Sequence, residues 1–244
     1  MASHKESPEK RVWRKHFIPL ESNPEVFTEL VHKLGVSETV AFHDVFSLED
    51  PDLLAIVPRP VYALVLVFPT TEKYLKWVAE ADDGSAEKDA VVFFEQTINN
   101  ACGLYALLHA ISNGKARGLI GEGSLMSRLL EKCTPLGTDE RALALEDSQE
   151  LESAYSSVAR KGDTKAPDNP EDDVDFHYNA FVKSHNGHLF LLDGDRKRPV
   201  DLGPIGADKD VLSDACLSVI RKMVADAGGE NLNFSLMALA AAQG

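Results

Sequence analysis

Eight consecutive residues, Val61-Tyr62-Ala63-Leu64-Val65-Leu66-Val67-Phe68, carry no charge and a single hydroxyl. A strand with one wet face alternates apolar and polar positions, and this run does not alternate. It predicts a central strand covered on both faces. Such a strand needs helices above and below it, and the flanking sequence supplies them. Asn23 and Pro24 open a helix whose apolar stripe is Val26, Phe27, Leu30, Val31 and Leu34, and Gly35 closes it. Asp50-Pro51 starts a brief helix that ends before Pro58, and Thr70 to Ala81 reads as another. Helices follow from Ser124 to about Cys133, from Thr138 to about Arg160 and from Asp210 to Ala227. Strands are expected at Ala41–Phe46, Ala90–Phe94, Pro199–Leu202 and Leu232–Ala240.

With 244 residues, 44% of them hydrophobic, the chain has material for one sizeable core. The expectation is an α/β (α+β) domain over residues 13–244, its central sheet mostly antiparallel and flanked by helices on both sides. Residues 1–12 are polar and charged and read as a flexible arm. Asp82 to Lys88 reads as a polar loop.

Chemistry is concentrated where Gln96-Thr97-Ile98-Asn99-Asn100-Ala101-Cys102-Gly103 runs into the apolar spacing Leu104, Leu107, Leu108 and Ile111. Asn99 and Asn100 favour a turn or a helix cap, so Cys102 sits at or near a helix N-terminus. Unpaired backbone N–H groups and the positive end of the helix dipole stabilise a thiolate there. Gly103 leaves room for a carbonyl to approach, and Gln96 brings a side-chain N–H donor toward the same place. The alternative is a cysteine serving as a small apolar core residue.

A cysteine nucleophile requires a base, and the base an orienting group. Two strands, 174–182 and 188–194, read as a hairpin turning at Asn186-Gly187. If the loop is His185-Asn186-Gly187 with a left-handed glycine, Asp193 lies opposite Asn179 and diagonal to His177 on one face. A two-residue loop would turn Asp193 to the other face. The longer loop is the expectation.

At these residues the chain resembles the ubiquitin carboxyl-terminal hydrolases, cysteine peptidases with a papain-like active site. The resemblance rests on QTINNACG around Cys102, on VDFHYNAFV and GHLFLLDG around His177 and Asp193, on PLESNPEVF, and on VPRPVYALVLVFPTTEKY. It implies Cys102 as nucleophile, His177 as general base and acid, Asp193 as orienter and Gln96 as oxyanion donor. The activity it implies is cleavage of small adducts or short peptides from the C-terminal glycine of ubiquitin through an acyl-enzyme. It further implies that Pro19, Leu20 and Glu21 touch ubiquitin, although those residues also read as a staple onto the core. A polar segment at about 157–173, including Lys161, Gly162, Asp163 and Thr164, corresponds to a loop that crosses the active site, contacts ubiquitin and limits the leaving group. By composition alone it is a flexible linker. The chain departs from the family pattern at Leu104, where a small or hydroxylated residue is usual, and by one extra residue between His177 and Asp193. The similarity is to small members without a C-terminal extension.

A net charge of −14 argues against a nucleic-acid binder and favours a basic partner. Cysteines at 102, 133 and 216 show no pairing pattern and suit a reducing compartment, cytoplasmic and also nuclear. No apolar run approaches the roughly 20 residues that span a bilayer. No metal and no cofactor are expected: His4, His16, His32 and His43 are scattered, and His109, two turns past Cys102, reads as a satisfied core histidine. A monomer is expected, with ubiquitin or a ubiquitin-like modifier as partner. A non-catalytic module that binds and protects ubiquitin is the rival reading.

Overall fold

The computed structural model describes residues 12–80, 90–172, 174–226 and 233–243; the arm, apart from its last residue, and the loop at Asp82 to Lys88 lie outside the described residues. The uncharged run forms β3 (Ala63–Pro69), buried at six of its seven positions. It is third in a six-stranded sheet ordered β2 (Val40–Asp44), β8 (Ser235–Ala241), β3, β5 (Phe176–Lys183), β6 (His188–Leu192) and β7 (Val200–Pro204). Every neighbouring pair in this sheet is antiparallel. A separate two-stranded parallel pair joins β1 (Lys15–His16) to β4 (Ile98–Asn99).

Two apolar cores lie on the two faces of β3, as its composition demands. Ala63, Val65 and Val67 face a core with α1 (Pro24–Leu34), α4 (Cys102–Ser112) and α5 (Leu125–Cys133). Leu64, Leu66 and Phe68 face another with Tyr74 of α3 (Glu72–Glu80) and Cys216, Leu217 and Ile220 of α8 (Asp214–Asp226). Each fully buried side chain of this size is worth about 1.5–3 kcal/mol. The strand therefore anchors both layers.

The caps of α1 are those expected. Asn23 accepts from the Glu25 and Val26 amides, and Gly35 adopts φ +95° against Ser124, where a Cβ would sit 2.2 Å from the serine Cβ. α2 (Pro51–Ala55) is capped by Asp50.

Three expectations are corrected. Ala90–Phe94 forms no strand, because side chains of α4, its C-cap Asn113 and Arg141 take its hydrogen bonds. Asn113 brackets Val92 N and O, His109 Nε2 accepts from Phe94 N, and Arg141 donates to Phe93 O. The long helix from Thr138 is two helices, α6 (Thr138–Glu146) and α7 (Gln149–Ser156). Ser148 breaks them by turning its hydroxyl to the Leu151 amide and capping the second. The helix expected from Asp210 begins only at Asp214, since Asp210 instead bonds to the amides of Val61 and Leu212.

Candidate active site

Asn100 takes φ +57°, a left-handed turn that asparagine tolerates, and α4 begins two residues later. The cap position is Ala101, with no side-chain hydrogen bond, so the expected asparagine cap is a turn instead. Cys102 thus stands on the first turn of a fully buried helix, itself 8% exposed. Gly103 meets the protein rather than an open approach: a Cβ there would lie 3.3 Å from Leu20 Cβ and 3.5 Å from Phe27. Leu104 is wholly buried, which accounts for an apolar residue at that position.

His177 and Asp193 come from the hairpin in the register the three-residue loop predicts. Ala180 pairs with Leu192, Ser184 N donates to His188 O, and Gly187 has φ +87°. That register carries Asp193 opposite Asn179 and onto the face of His177. The imidazole Nε2 lies 2.7 Å from Asp193 Oδ1, with both residues buried. The Cys102 thiol acts on the same imidazole, helping to raise its pKa. With Nε2 committed to Asp193, Nδ1 is the nitrogen left for the thiol.

The electrostatics fit a charged imidazole. Burial acts against protonation of His177, but the charges of Asp193 and Asp195, the bond to Asp193 and the Cys102 thiol outweigh it and raise its pKa well above 6.5. Burial likewise pushes Asp193 up, and the His177 charge and hydrogen bonds from His177, Asp195 N and Tyr74 pull it below the usual aspartate range.

Two of these partners were not legible in the sequence. Tyr74 donates to Asp193 Oδ2 at 2.9 Å, and its ring lies 5.3 Å from the imidazole. Burial, with Asp193 and Asp195 next, raises its phenol pKa, so it stays a neutral donor. Asp195, two residues past the orienter, places Oδ2 3.4 Å from His177 Nδ1. Next to it in the chain, Arg196 is buried with its guanidinium 3.6 Å over the Trp77 ring.

Gln96 is buried beside this group. Its amide donates to Gly194 O at 2.8 Å, its Nε2 to Ile98 O at 3.0 Å, and Gly194 lacks the Cβ that would strike Gln96 Cβ at 2.8 Å. Glycine is required there by contact. The segment carrying Gln96 is the one His109 and Asn113 hold, so one helix positions both Cys102 and Gln96. His109 is the core histidine the sequence predicts, stacked on Phe93 with its pKa lowered to about 3 by burial, but it is only half satisfied: Nε2 accepts from Phe94 N while the buried Nδ1 has no hydrogen-bond partner among the described residues.

The remaining expected residues meet each other over the thiol. A cleft of about 470 Å³ is lined by Pro19, Leu20, Glu21, Cys102, Lys161 and Thr164 among others. Residues 157–172 contain no helix or strand and are strapped down at two ends. Glu21 Oε2 accepts from Thr164 N at 2.9 Å and Oγ1 at 2.7 Å, and Gly162 packs so closely that a Cβ would lie 2.3 Å from that oxygen. Burial raises the Glu21 pKa, and the Thr164 and Asp163 bonds more than offset it to leave it lowered. Lys161 pairs with Glu29 at 2.7 Å. At the other end Asn100 Nδ2 donates to Pro170 O and Asp172 O. The Phe17–Glu21 segment is also a staple: Leu20 is buried and its carbonyl accepts from Tyr178.

Comparison with known proteins agrees with this geometry. A ubiquitin carboxyl-terminal hydrolase of Aplysia californica is 40% identical over 211 residues, covering 86% of this chain and 96% of that protein. Ubiquitin carboxyl-terminal hydrolase 3 of Arabidopsis thaliana is 35% identical and covers 98% of both. The catalytic domain of Trichinella spiralis UCH37, solved bound to ubiquitin vinyl methyl ester, superposes with a TM-score of 0.76 at 24% identity, covering 96% of this chain and 97% of that one. The profile of ubiquitin carboxyl-terminal hydrolase family 1 matches residues 17–225, and the chain belongs to that family of cysteine peptidases.

Proposed function

We propose that this protein is a deubiquitinating thiol hydrolase that cleaves small adducts or short peptides from the C-terminal glycine of ubiquitin. The observation that carries the reading is Cys102 on the first turn of a buried helix, lining the cleft, with the His177 imidazole Nε2 held 2.7 Å from the Asp193 carboxylate. A protein that only bound ubiquitin would have no use for it.

Chemically, His177 Nδ1 takes the Cys102 proton, and the thiolate attacks the carbonyl carbon of the terminal glycine. The C–O double bond opens to an oxyanion, received by the Cys102 N–H and by the second hydrogen of Gln96 Nε2; one such donor is worth about 3 kcal/mol. The intermediate collapses to a thioester as His177 returns its proton to the departing amine, alcohol or thiol. Water then attacks the thioester, gives a proton to His177 and regenerates the thiol. Asp193 holds the imidazole in the tautomer that leaves Nδ1 toward sulfur.

Pro19, Leu20, Glu21 and the Lys161–Thr164 strap line or border the cleft beside the thiol, which supports their contact with the ubiquitin tail and a size limit on the leaving group. A net charge of −14 favours a basic tail and association that weakens with salt. We further propose a monomer working in a reducing compartment, consistent with the three cysteines being free. Ubiquitin carrying a C-terminal electrophile tests the reading. One adduct per chain, on Cys102 and with ubiquitin in preference to ubiquitin-like modifiers, is expected. Labelling of a modifier but not ubiquitin would replace the substrate assignment.

A further inference from the structure

Asp195 has no task in the acyl transfer described above, yet its carboxylate faces the second nitrogen of the imidazole. His177 therefore meets a carboxylate at each ring nitrogen: Asp193 Oδ1 lies 2.7 Å from Nε2, and Asp195 Oδ2 lies 3.4 Å from Nδ1. Orientation of the base needs only the first of these. We infer that Asp195 is a second positioning residue of the hydrolase, pairing with the charged imidazole from the Nδ1 side so that the resting site holds His177 as an imidazolium. The inference rests on His177 being the general base of the proposed hydrolysis, and adds Asp195 to it.

A tight turn aims the carboxylate. Arg196 N donates to Asp193 O at 3.0 Å, which closes the chain over Gly194 and Asp195, and Asp195 N donates to Asp193 Oδ1 at 3.0 Å within it. Gln96 N pins the same turn through Gly194 O at 2.8 Å. One oxygen of Asp193 thus holds both the imidazole and the backbone of the second carboxylate. The Asp195 side chain is 30% exposed against 6% for His177, so it reaches the ring from the solvent edge and avoids the desolvation cost of a second buried charge.

Among the described residues, the titratable groups acting on this imidazole are Asp193 and Asp195 from the turn and Cys102 from α4, with Tyr74 of α3 beside the ring as a neutral phenol. Phe68 of β3 presents only an aromatic edge to it. Arg196, the cation of the turn, lies over Trp77 and donates to its carbonyl. Burial opposes the imidazolium, the charge of Asp193 favours it most, and that of Asp195 comes next. An opposite charge within about 4–6 Å moves a titration by about one to three pH units.

In the resting protein the proton that began on sulfur sits on Nδ1, beside Asp195, and none enters or leaves the site. Collapse of the oxyanion carries that proton from Nδ1 to the departing atom and leaves a neutral imidazole. The attacking water then supplies the next proton to Nδ1 and restores the pair. Asp195 itself accepts no proton at any step. Its effect is on the pH at which the imidazolium is lost. Activity that needs the charged imidazole is present below that pH and fades as pH rises through it, so removing the Asp195 charge brings the loss to lower pH.

The test follows the His177 ring nitrogens by NMR across pH in the intact protein without substrate, the signals assigned by their loss in His177→Gln. Asp195→Asn keeps the shape of the side chain and the backbone bond to Asp193, and thermal unfolding checks its fold. Its His177 midpoint should lie about one to three pH units below that of the native protein. Asp208→Asn, which removes an exposed carboxylate beyond β7, should leave the midpoint in place. In fluorophore release from ubiquitin, the alkaline limb of kcat/KM should move down with the midpoint in Asp195→Asn. An identical midpoint in the native protein and Asp195→Asn, or an equal displacement in Asp208→Asn, overturns the assignment. Because the NMR titration needs no ubiquitin, its outcome is independent of whether the substrate assignment stands.

Discussion

Replacing Tyr74 by phenylalanine removes one oxygen from the buried end of the active site. The ring stays against Phe68, 5.1 Å away, and against the imidazole, so packing is kept. Asp193 Oδ2 loses its 2.9 Å donor, while Oδ1 keeps His177 Nε2 and the Asp195 amide. A hydrogen bond to a charged group is worth about 1.5–3 kcal/mol net, and here the desolvated carboxylate has no water to replace it. If that bond steadies the carboxylate as the imidazolium forms and moves its proton, the loss falls on the transition state. At about 1.36 kcal/mol per decade it lowers kcat by about 10- to 150-fold. KM for ubiquitin conjugates should stay within a factor of two, since Tyr74 lies behind His177 on the face away from Cys102. The assay is steady-state release of a fluorophore from the ubiquitin C-terminus, with thermal unfolding to show an intact fold. An unchanged kcat in a folded variant would refute the claim that Tyr74 acts through Asp193.

Gly194→Ala should lower kcat by up to about 100-fold with little change in KM, because the new Cβ meets Gln96 Cβ at 2.8 Å and displaces an oxyanion donor worth about 3 kcal/mol; wild-type kcat would contradict this. Glu21→Gln should make the 161–172 segment several-fold more sensitive to limited proteolysis, and bound ubiquitin should protect it; equal cleavage rates would count against the strap. Since the Glu21 pKa is lowered from 4.5, that clasp is fully present above the ordinary glutamate range and is lost as pH falls through the lower folded value. His109 gives a stability signal of the same sign. Its buried imidazole resists protonation down to about pH 3, while the unfolded chain takes up a proton near 6.5. Stability therefore falls as pH drops through that window, by about 2 kcal/mol between 6.5 and 5. In His109→Gln, which keeps an acceptor for Phe94 N, denaturant titrations should show a flatter slope there; an unchanged slope would show that another group carries it.

The parts of the fold written in local chemistry were legible from the chain. An uncharged strand marks the sheet centre, an asparagine, a proline and a glycine bound α1, and the spacing of Asn186-Gly187 to His177 and Asp193 sets a register that brings base and orienter together. What was not legible depends on partners distant in sequence. Ala90–Phe94 has strand composition, and only the fold reveals that side chains of α4 and Arg141 take its hydrogen bonds. Tyr74 is 119 residues from the carboxylate it bonds, and nothing in its helix distinguishes it from a core tyrosine. Asp195 precedes the basic residues Arg196, Lys197 and Arg198, and its meaning lies in a nitrogen 18 positions upstream. The break between α6 and α7 did carry a local signal, since Ser148 precedes an acidic first turn in the manner of a cap. That signal was outweighed by the surrounding helix formers.

The most direct measurement is the initial rate of fluorophore release from the ubiquitin C-terminus by the native protein beside Cys102→Ala and His177→Ala. Rapid turnover in the native chain, lost by at least about 10³-fold in each variant while both still bind ubiquitin, is the result the account predicts. Turnover that survives Cys102→Ala would contradict the thiol mechanism. A native chain that binds ubiquitin tightly and releases nothing would make it a protective binding module instead.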